Sequence, residues 1–277
     1  MKSSSQKLHP LESLGVSLAR RGDIRIERLK DRLTPRVPFP HKHDFFHIVI
    51  VHSGSGWHEI DFKKYRVQRQ QVFIMKPGQV HSWKISPDAK GFVIEFTQES
   101  LPQASKGEAS LFARSLRLPD QAKVRKRIPS LSLPFLELFE EEFLSKRKNR
   151  SECLQDYLAI LLSQLEEATL SGTAPDLRTN EVTIRFSELL EKYFREHHDL
   201  AFYAKHMGLS AKNLSAQIHR KLGRPAKDII SQRCFLEAQR MLAYSPLSVT
   251  EIGYELGFED RKSTRLNSSH TDISRMP

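Results

Sequence analysis

DLAFYAKHMGL, Asp199–Leu209, and SVTEIGYELGF, Ser248–Phe258, are two copies of one pattern set 49 residues apart. Asp199 and Ser248 are residue types that cap helix N-termini, because a short side-chain oxygen accepts from an otherwise unpaired backbone N–H. Leu200 then pairs with Val249, Tyr203 with Ile252, Ala204 with Gly253, Met207 with Leu256, Gly208 with Gly257 and Leu209 with Phe258. Each copy reads as a cap, a short apolar-periodic helix, a glycine, an apolar residue and the start of a further helix. The small residue allows close helix approach, and the glycine four positions later supplies a left-handed turn. The apolar residue after it plugs the angle between the helices. This is the physics of a helix-turn-helix, and an internal repeat of it is far more specific than one copy.

Working outward from the first copy, Ser210 caps the next helix, in which Leu214, Ile218 and Leu222 form the buried stripe. Lys212, Asn213, Ser215, Ala216 and Arg220 lie off that stripe and are expected to face outward, as a helix that enters the major groove requires. A connector from about Pro225 to Ala243 links the two copies, with Pro225 at its first turn, where a missing N–H costs nothing. Ile229, Ile230, Cys234, Leu236, Ala238, Met241 and Leu242 are read as including its buried face. Between Tyr203 and Arg233 stand seven basic residues (Lys205, Lys212, Arg220, Lys221, Arg224, Lys227 and Arg233) against the single acid Asp228. Charge confined to the reading helix and its flanks suits a polyanion-facing surface; the bland alternative is a solvated helix face.

The stretches GLSAKNLSAQIHRKLGRP, RCFLEAQRML and SVTEIGYELGFED resemble the DNA-binding domain of the AraC/XylS family of transcription regulators over about 80 residues. The resemblance implies two reading helices in successive major-groove segments of double-stranded DNA. Carried onto this chain, DNA contacts would come from Ser210, Lys212, Asn213, Ser215, Ala216 and Arg220. Ser215 and Ala216 are short for base readout, so phosphate contacts carry much of the expected affinity.

The front half reads as β-structure. Ile24–Leu29 alternates, Phe45–Val51 is a near-continuous apolar run, Ser53-Gly54-Ser55-Gly56 is a turn into Trp57–Phe62, and Val72–Met75 ends at the turn Lys76-Pro77-Gly78-Gln79. Trp83–Ile85 and Gly91–Phe96 complete a set of short strands expected of a closed barrel or jelly roll. PFPHKHDFF from Pro38, then Gly54-Ser55-Gly56, then MKPGQVHSW from Met75, resembles the cupin-like N-terminal domain of the same family over about 75 residues. That implies a small-molecule effector in the barrel, with Phe46, Trp57, His81 and Trp83 as the expected pocket. His41 and His43 share one side of a strand, and His47 and His81 complete a set of four. Metal-binding cupins resemble this pattern with a glutamate where His47 stands. Capping or hydrogen bonding at the barrel mouth is the bland reading, so no metal, cofactor or catalytic residue is expected. Residues 130–170 turn helical: Phe135, Leu136, Phe139, Phe143 and Leu144 space as one face. Leu154, Leu158, Leu161 and Leu165 form an a/d seam that serves either barrel packing or, as the resemblance implies, a homodimer.

The expected fold class is α+β: a cupin-like effector and dimerisation domain over 20–170, a linker over 171–181, and an all-α double helix-turn-helix over 182–260 with its second unit incomplete. After Asp260 the repeat fails, since Ser263, Asn267 and Thr271 occupy the positions of Leu214, Ile218 and Leu222. Asp260–His270 can be back-translated as the read-through of a common sequencing adapter, so 261–277 is expected to be a non-native tail. Two cysteines, Cys153 and Cys234, far apart in helical patterns, argue against a disulfide framework. With no secretory signal at Met1–Gln6 and no apolar run of roughly 18 residues, a cytoplasmic protein away from the membrane is expected. The formal net charge of +11 agrees with a polyanionic partner. The reading is therefore a transcription regulator, an activator type, rather than an enzyme, with RNA polymerase a further possible partner. A metal-dependent cupin enzyme with an appended helical domain is the alternative, and a ligand-independent DNA-binding protein with a purely dimerising barrel stays open.

Overall fold

A computed structural model describes residues 23–32, 40–102, 111–123, 128–170 and 181–258. Pro38 and Phe39, the expected linker through residue 180, Asp260 and the expected tail lie outside these residues.

Nine strands are described: β1 (Ile24–Arg28), β2 (His41–Lys42), β3 (Phe46–Ser53), β4 (Gly56–Ile60), β5 (Lys63–Val67), β6 (Gln71–Met75), β7 (Val80–Ile85), β8 (Lys90–Phe96) and β9 (Gln121–Lys123). They form two antiparallel sheets, one ordered β1-β8-β3-β6-β9 and the other β2-β7-β4-β5. The six strands read from the sequence are all present. The additional β2, β5 and β9 are short or polar; β5 reads KKYRV and β9 QAK, and both lie at sheet edges. A charged edge strand carries little apolar alternation and is protected from pairing with another chain.

The five-stranded sheet is apolar on both faces, and period-2 alternation sorts its side chains. Val49, Val51, Phe73, Met75 and Val93 pack inward with Ile60, Val67 and Ile85. Ile24, Ile26, Phe46, Ile48, Ile50, Val72, Ile74, Phe92, Ile94 and Phe96 face a helical layer. That layer is built by α1 (Leu111–Leu116), α2 (Leu133–Leu144) and α3 (Arg150–Leu170). Phe46 stacks on Phe96 at 4.8 Å between ring centroids and meets Phe112 edge-on at 5.8 Å. Leu154, Leu158, Leu161 and Leu165 all enter this same core, none more than 3% exposed. The expected seam is thus spent on the chain's own sheet and is not free to join two chains.

The remaining helices are α4 (Glu181–Tyr193), α5 (Leu200–His206), α6 (Ala211–Leu222), α7 (Ala226–Tyr244) and α8 (Val249–Glu255). The repeat in the sequence is a repeat in hydrogen bonding. Asp199 accepts from the Phe202 N–H, Ser210 from Asn213 and Ser248 from Glu251. Gly208 and Gly257 are left-handed, with φ of 67° and 71°. The next N–H reaches back over each: Leu209 to the Ala204 carbonyl at 2.9 Å, Phe258 to the Gly253 carbonyl at 2.8 Å. A six-to-one bond over a left-handed glycine closes both helix ends in the same way. The expected close approach at the small residue holds for Ala204, which is buried. At Gly253 no described atom would lie within 4 Å of an added Cβ.

The connector differs from expectation in the face it buries. Ala226, Ile230, Cys234, Glu237 and Arg240 are buried, whereas Leu242 is 54% exposed and Leu236 only half-buried. Two charged side chains occupy its inner stripe. Among the described residues no helix is long and apolar enough to cross a membrane.

Burial of the α3 leucines predicts a stability effect independent of association. Leu161→Ala should cost about 2–5 kcal/mol, because the cavity cannot fully collapse. The urea midpoint should shift equally at low and high protein concentration. A midpoint that depends on concentration in the parent chain, and loses that dependence in Leu161→Ala, would return the seam to a dimer interface.

Candidate functional site

Helix α6 presents the candidate nucleic-acid interface. Leu214 and Ile218 anchor it with no exposed surface, and Gly223 ends it in the left-handed conformation. Ser210, Lys212, Asn213, Ala216 and Arg220 are exposed together. Ser215 departs from the expected set: it lies beside the buried stripe, half-buried, because one residue past Leu214 is only 100° around the helix. Gln217, not singled out in the sequence and half-buried like Ser215, lies one turn past Asn213 and donates from Nε2 to its Oδ1 at 3.0 Å. The signal for it was the i,i+4 spacing of two amides.

The barrel interior holds a histidine cluster. β2 and β7 pair antiparallel with His41 opposite His81. His43 lies two residues beyond His41, on the same side. His58 comes from β4 and His47 from β3. His43 Nε2 is 2.6 Å from His81 Nε2, and His58 Nε2 is 3.1 Å from His81 Nδ1. His41, His43 and His81 each offer a ring nitrogen, all within 4.8 Å of one another. Burial holds the imidazoles neutral: His43, His47 and His81 are pushed well below the usual histidine value, first by desolvation and then by the neighbouring histidines, with Arg32 adding to the effect at His43 and His47. His58 is lowered to about 3 by burial and then by His41. Nδ1 of His43, both ring nitrogens of His47 and Nδ1 of His58 have no hydrogen-bond partner. The His47 Nδ1 to Glu95 separation of 3.5 Å is an approach rather than a bond. Each such orphan costs about 1–3 kcal/mol. Beside the cluster, Arg32 makes ion pairs to Glu27 and Glu95.

The expected effector pocket is not assembled as one cavity. His81 and Trp83 do meet inside the barrel, with ring centroids 5.8 Å apart. Phe46 points the other way, into the helical layer. Trp57 lies on the barrel exterior, one residue out of phase with inward His58, and Lys64 Nζ sits 4.3 Å over its ring. Both misplacements come from strand alternation, where a shift of one residue exchanges faces. A cleft of about 1000 Å³ lies instead at one end of the five-stranded sheet, between it and the start of α2. Ile50, Phe92, Ile128 and Leu131 line it, with Lys30 and Lys90 among its cations.

A charged contact joins the barrel to α7. Asp61 sits in the β4–β5 turn with φ of 46°, and Phe62 beside it with φ of 67°. The Arg240 guanidinium donates to both Asp61 oxygens, at 2.8 and 2.7 Å. The Gln79 amide and the Val80 N–H also donate to Asp61. Arg240 further pairs with Glu237 at 3.0 Å, which in turn holds Arg195 and Arg233. Burial works against the charge of Arg240, yet Asp61 and Glu237 more than offset it and raise its pKa. Phe62 stacks on Tyr244 at 5.6 Å with the rings 8° from parallel.

Two known families match successive parts of the chain. Residues 25–152 match the family described as AraC-like ligand binding domain, and residues 203–265 match a helix-turn-helix domain family. HTH-type transcriptional activator RhaS of Escherichia coli strain UTI89 is 25% identical over 244 residues, 82% of this chain and 84% of that protein. RhaS of Citrobacter koseri is 27% identical over 247 residues with the same coverage. Among solved structures, ToxT from Vibrio cholerae aligns over 85% of this chain and 89% of its own, with 11% identity and a TM-score of 0.40. The AraC-like transcriptional activator CuxR aligns over 85% and 82%, with 14% identity and a TM-score of 0.29. With an AraC-like ligand-binding half and a helix-turn-helix half matched in order over more than half of its length, the chain belongs to the AraC family of transcription regulators.

Proposed function

We propose that this protein is a DNA-binding transcription regulator in which a small-molecule effector bound by the N-terminal domain controls the helical domain. The observation that carries the reading is α6: Ser210 caps it, Leu214 and Ile218 anchor it, and Lys212, Asn213, Ala216 and Arg220 stand outward together. Lys212 and Arg220 supply phosphate contacts and Asn213, braced by Gln217, supplies base readout. Ser215 serves at most as a flanking contact. Catalysis is no part of the proposal; the relatives it resembles are named as transcriptional activators.

The 1000 Å³ cleft is the better seat for an organic effector, because it matches the size of small-molecule sites and is lined by apolar Ile50, Phe92, Ile128 and Leu131. Domain limits of 20–170 and 182–260, a cytoplasmic location, activation, and contact with RNA polymerase extend the proposal by family likeness. A homodimer belongs to it too, through residues other than the α3 leucines. The Asp61–Arg240 contact is the inferred path between the halves, because it ties the barrel's β4–β5 turn to the helix that spaces the two reading units.

Two experiments test this reading. On a duplex enriched from a random pool by the full chain, Arg220→Ala should weaken binding to all sequences and reduce the log–log salt slope by about 1. Asn213→Ala should instead alter base preference by about 1–3 kcal/mol at one position, with Gln217→Ala shifting the same position by less. Equal losses on cognate and random DNA for Asn213→Ala would remove its role. For the path between the halves, Asp61→Asn should speed amide exchange across residues 236–244 and change affinity for the same duplex while leaving 211–222 protected. Unchanged exchange and affinity would show that the contact transmits nothing.

A further inference from the structure

We propose that the cleft between the five-stranded sheet and the start of α2 takes an amphipathic organic anion, an apolar body that carries a carboxylate or phosphate group. On the reading that this cleft seats the effector, strand register and an unmatched set of cations decide the effector's chemical class. The cleft lies on the outer face of the sheet, away from the barrel interior.

Register builds the apolar end. Arg28 on β1, Phe92 on β8, Ile50 on β3 and Val72 on β6 stand side by side in one rung across the sheet. Alternation sends this rung to the face that carries the helical layer. Ile128 and Leu131 face it from the other side. His52 Nε2 bonds the Leu131 carbonyl at 2.9 Å and ties that wall to β3. Leu133 lines the same cleft and is 48% exposed, so an apolar surface stands open at the lip.

The rim is positive. Lys90 precedes Phe92 by two residues and shares its face, Lys30 comes from the helical turn after β1, and Arg69 from the β5–β6 turn. All three are exposed, and among the described residues none is in ion-pair contact with a carboxylate. Arg28, by contrast, is taken up by Glu137 and Glu140. Exposed cations alone are ordinary solvated side chains; here three of them edge one cleft whose lining holds no aspartate or glutamate. A cleft lined by one sign of charge focuses the field on its contents. Lysine and arginine only donate hydrogen bonds. A polyol needs acceptors as well, and the Gln71 side-chain carbonyl already accepts from the Gln68 N–H at 2.7 Å. Anionic oxygens accept from every cation of the rim, in bonds roughly twice as strong as neutral ones. A bare inorganic anion would leave the apolar end unused, and a neutral apolar molecule would leave the rim unmatched.

The test is calorimetric titration of the full chain with four probes: 4-phenylbutyrate, its neutral amide, 4-phenylbutyl phosphate and inorganic phosphate. The acid or the phosphate ester should bind once per chain, more weakly as salt rises; the tighter of the two identifies the head group. The amide should be about 10–100-fold weaker, the product of three exposed ion pairs worth about 2–5-fold each. Lys30→Gln, Arg69→Gln and Lys90→Gln should each weaken the acid by that single-pair factor, and the triple variant should bind acid and amide alike. Leu133→Ser should weaken acid and amide together. Lys63→Gln and Lys64→Gln, exposed on β5 of the other sheet, should change nothing. Bound acid should also slow amide exchange across residues 128–133. An amide that binds as tightly as the acid, or inorganic phosphate as tightly as the ester, would overturn the amphipathic anion and leave the cleft as a seat for some other ligand. Acid affinity unchanged in the triple variant would place the anion elsewhere and sink the site. Binding of none of the four probes would remove both the anion and the cleft as the effector's seat.

Discussion

Strand β3 is buried on both faces, and the N-terminal half is arranged around that constraint. One face sends Phe46, Ile48 and Ile50 outward from the barrel, where only a covering layer keeps them from water. Each such side chain is worth about 1.5–3 kcal/mol when fully buried, so α2 and α3 are required rather than ornamental. The other face sends His47, Val49 and Val51 inward and thereby sets which residues meet inside the barrel. The leucine seam on α3 is a consequence: its periodicity is that of a dimer helix, but the sheet has first claim on it.

One contact between the two halves is made by charge, beside the stacked rings of Phe62 and Tyr244. The buried guanidinium of Arg240 is matched by two carboxylates, Asp61 and Glu237, which offset the cost of its burial. Such a network adds little net stability over an apolar contact, since desolvation consumes most of the attraction. What it adds is orientation. Two parallel bonds to one carboxylate fix the turn of the barrel against one point on α7. The left-handed Asp61 and Phe62 are held in that turn while their side chains reach Arg240 and Tyr244.

In the helical half, local chemistry does most of the work. The caps at Asp199, Ser210 and Ser248 and the left-handed glycines at 208 and 257 end each short helix at a defined residue. Helices of seven residues are too short to stand alone in water, so Tyr203 and Ile252 tie them into the same core as Phe186, Leu214, Ile218 and Ile230. That rigid frame lets α6 present an exposed face of short and long polar side chains with its apolar stripe fully satisfied.

The sequence by itself determined the order of the two halves, the six apolar strands, the capped and repeated helical unit, and the outward placement of Lys212, Asn213, Ala216 and Arg220. These are local matters: residue type, period and turn chemistry decide them within a dozen positions. Only the tertiary structure decided which side of a strand faces which layer, and so moved Phe46 and Trp57 away from His81 and Trp83. Period 2 gives two faces but not their destinations when both are apolar. The same limit hid Glu237 and Arg240, polar residues that no hydrophobic pattern assigns to the inner stripe of α7. The burial of Arg240 is matched by Asp61, 179 residues before it in the chain, and a long-range charge pair leaves no periodic trace in the sequence.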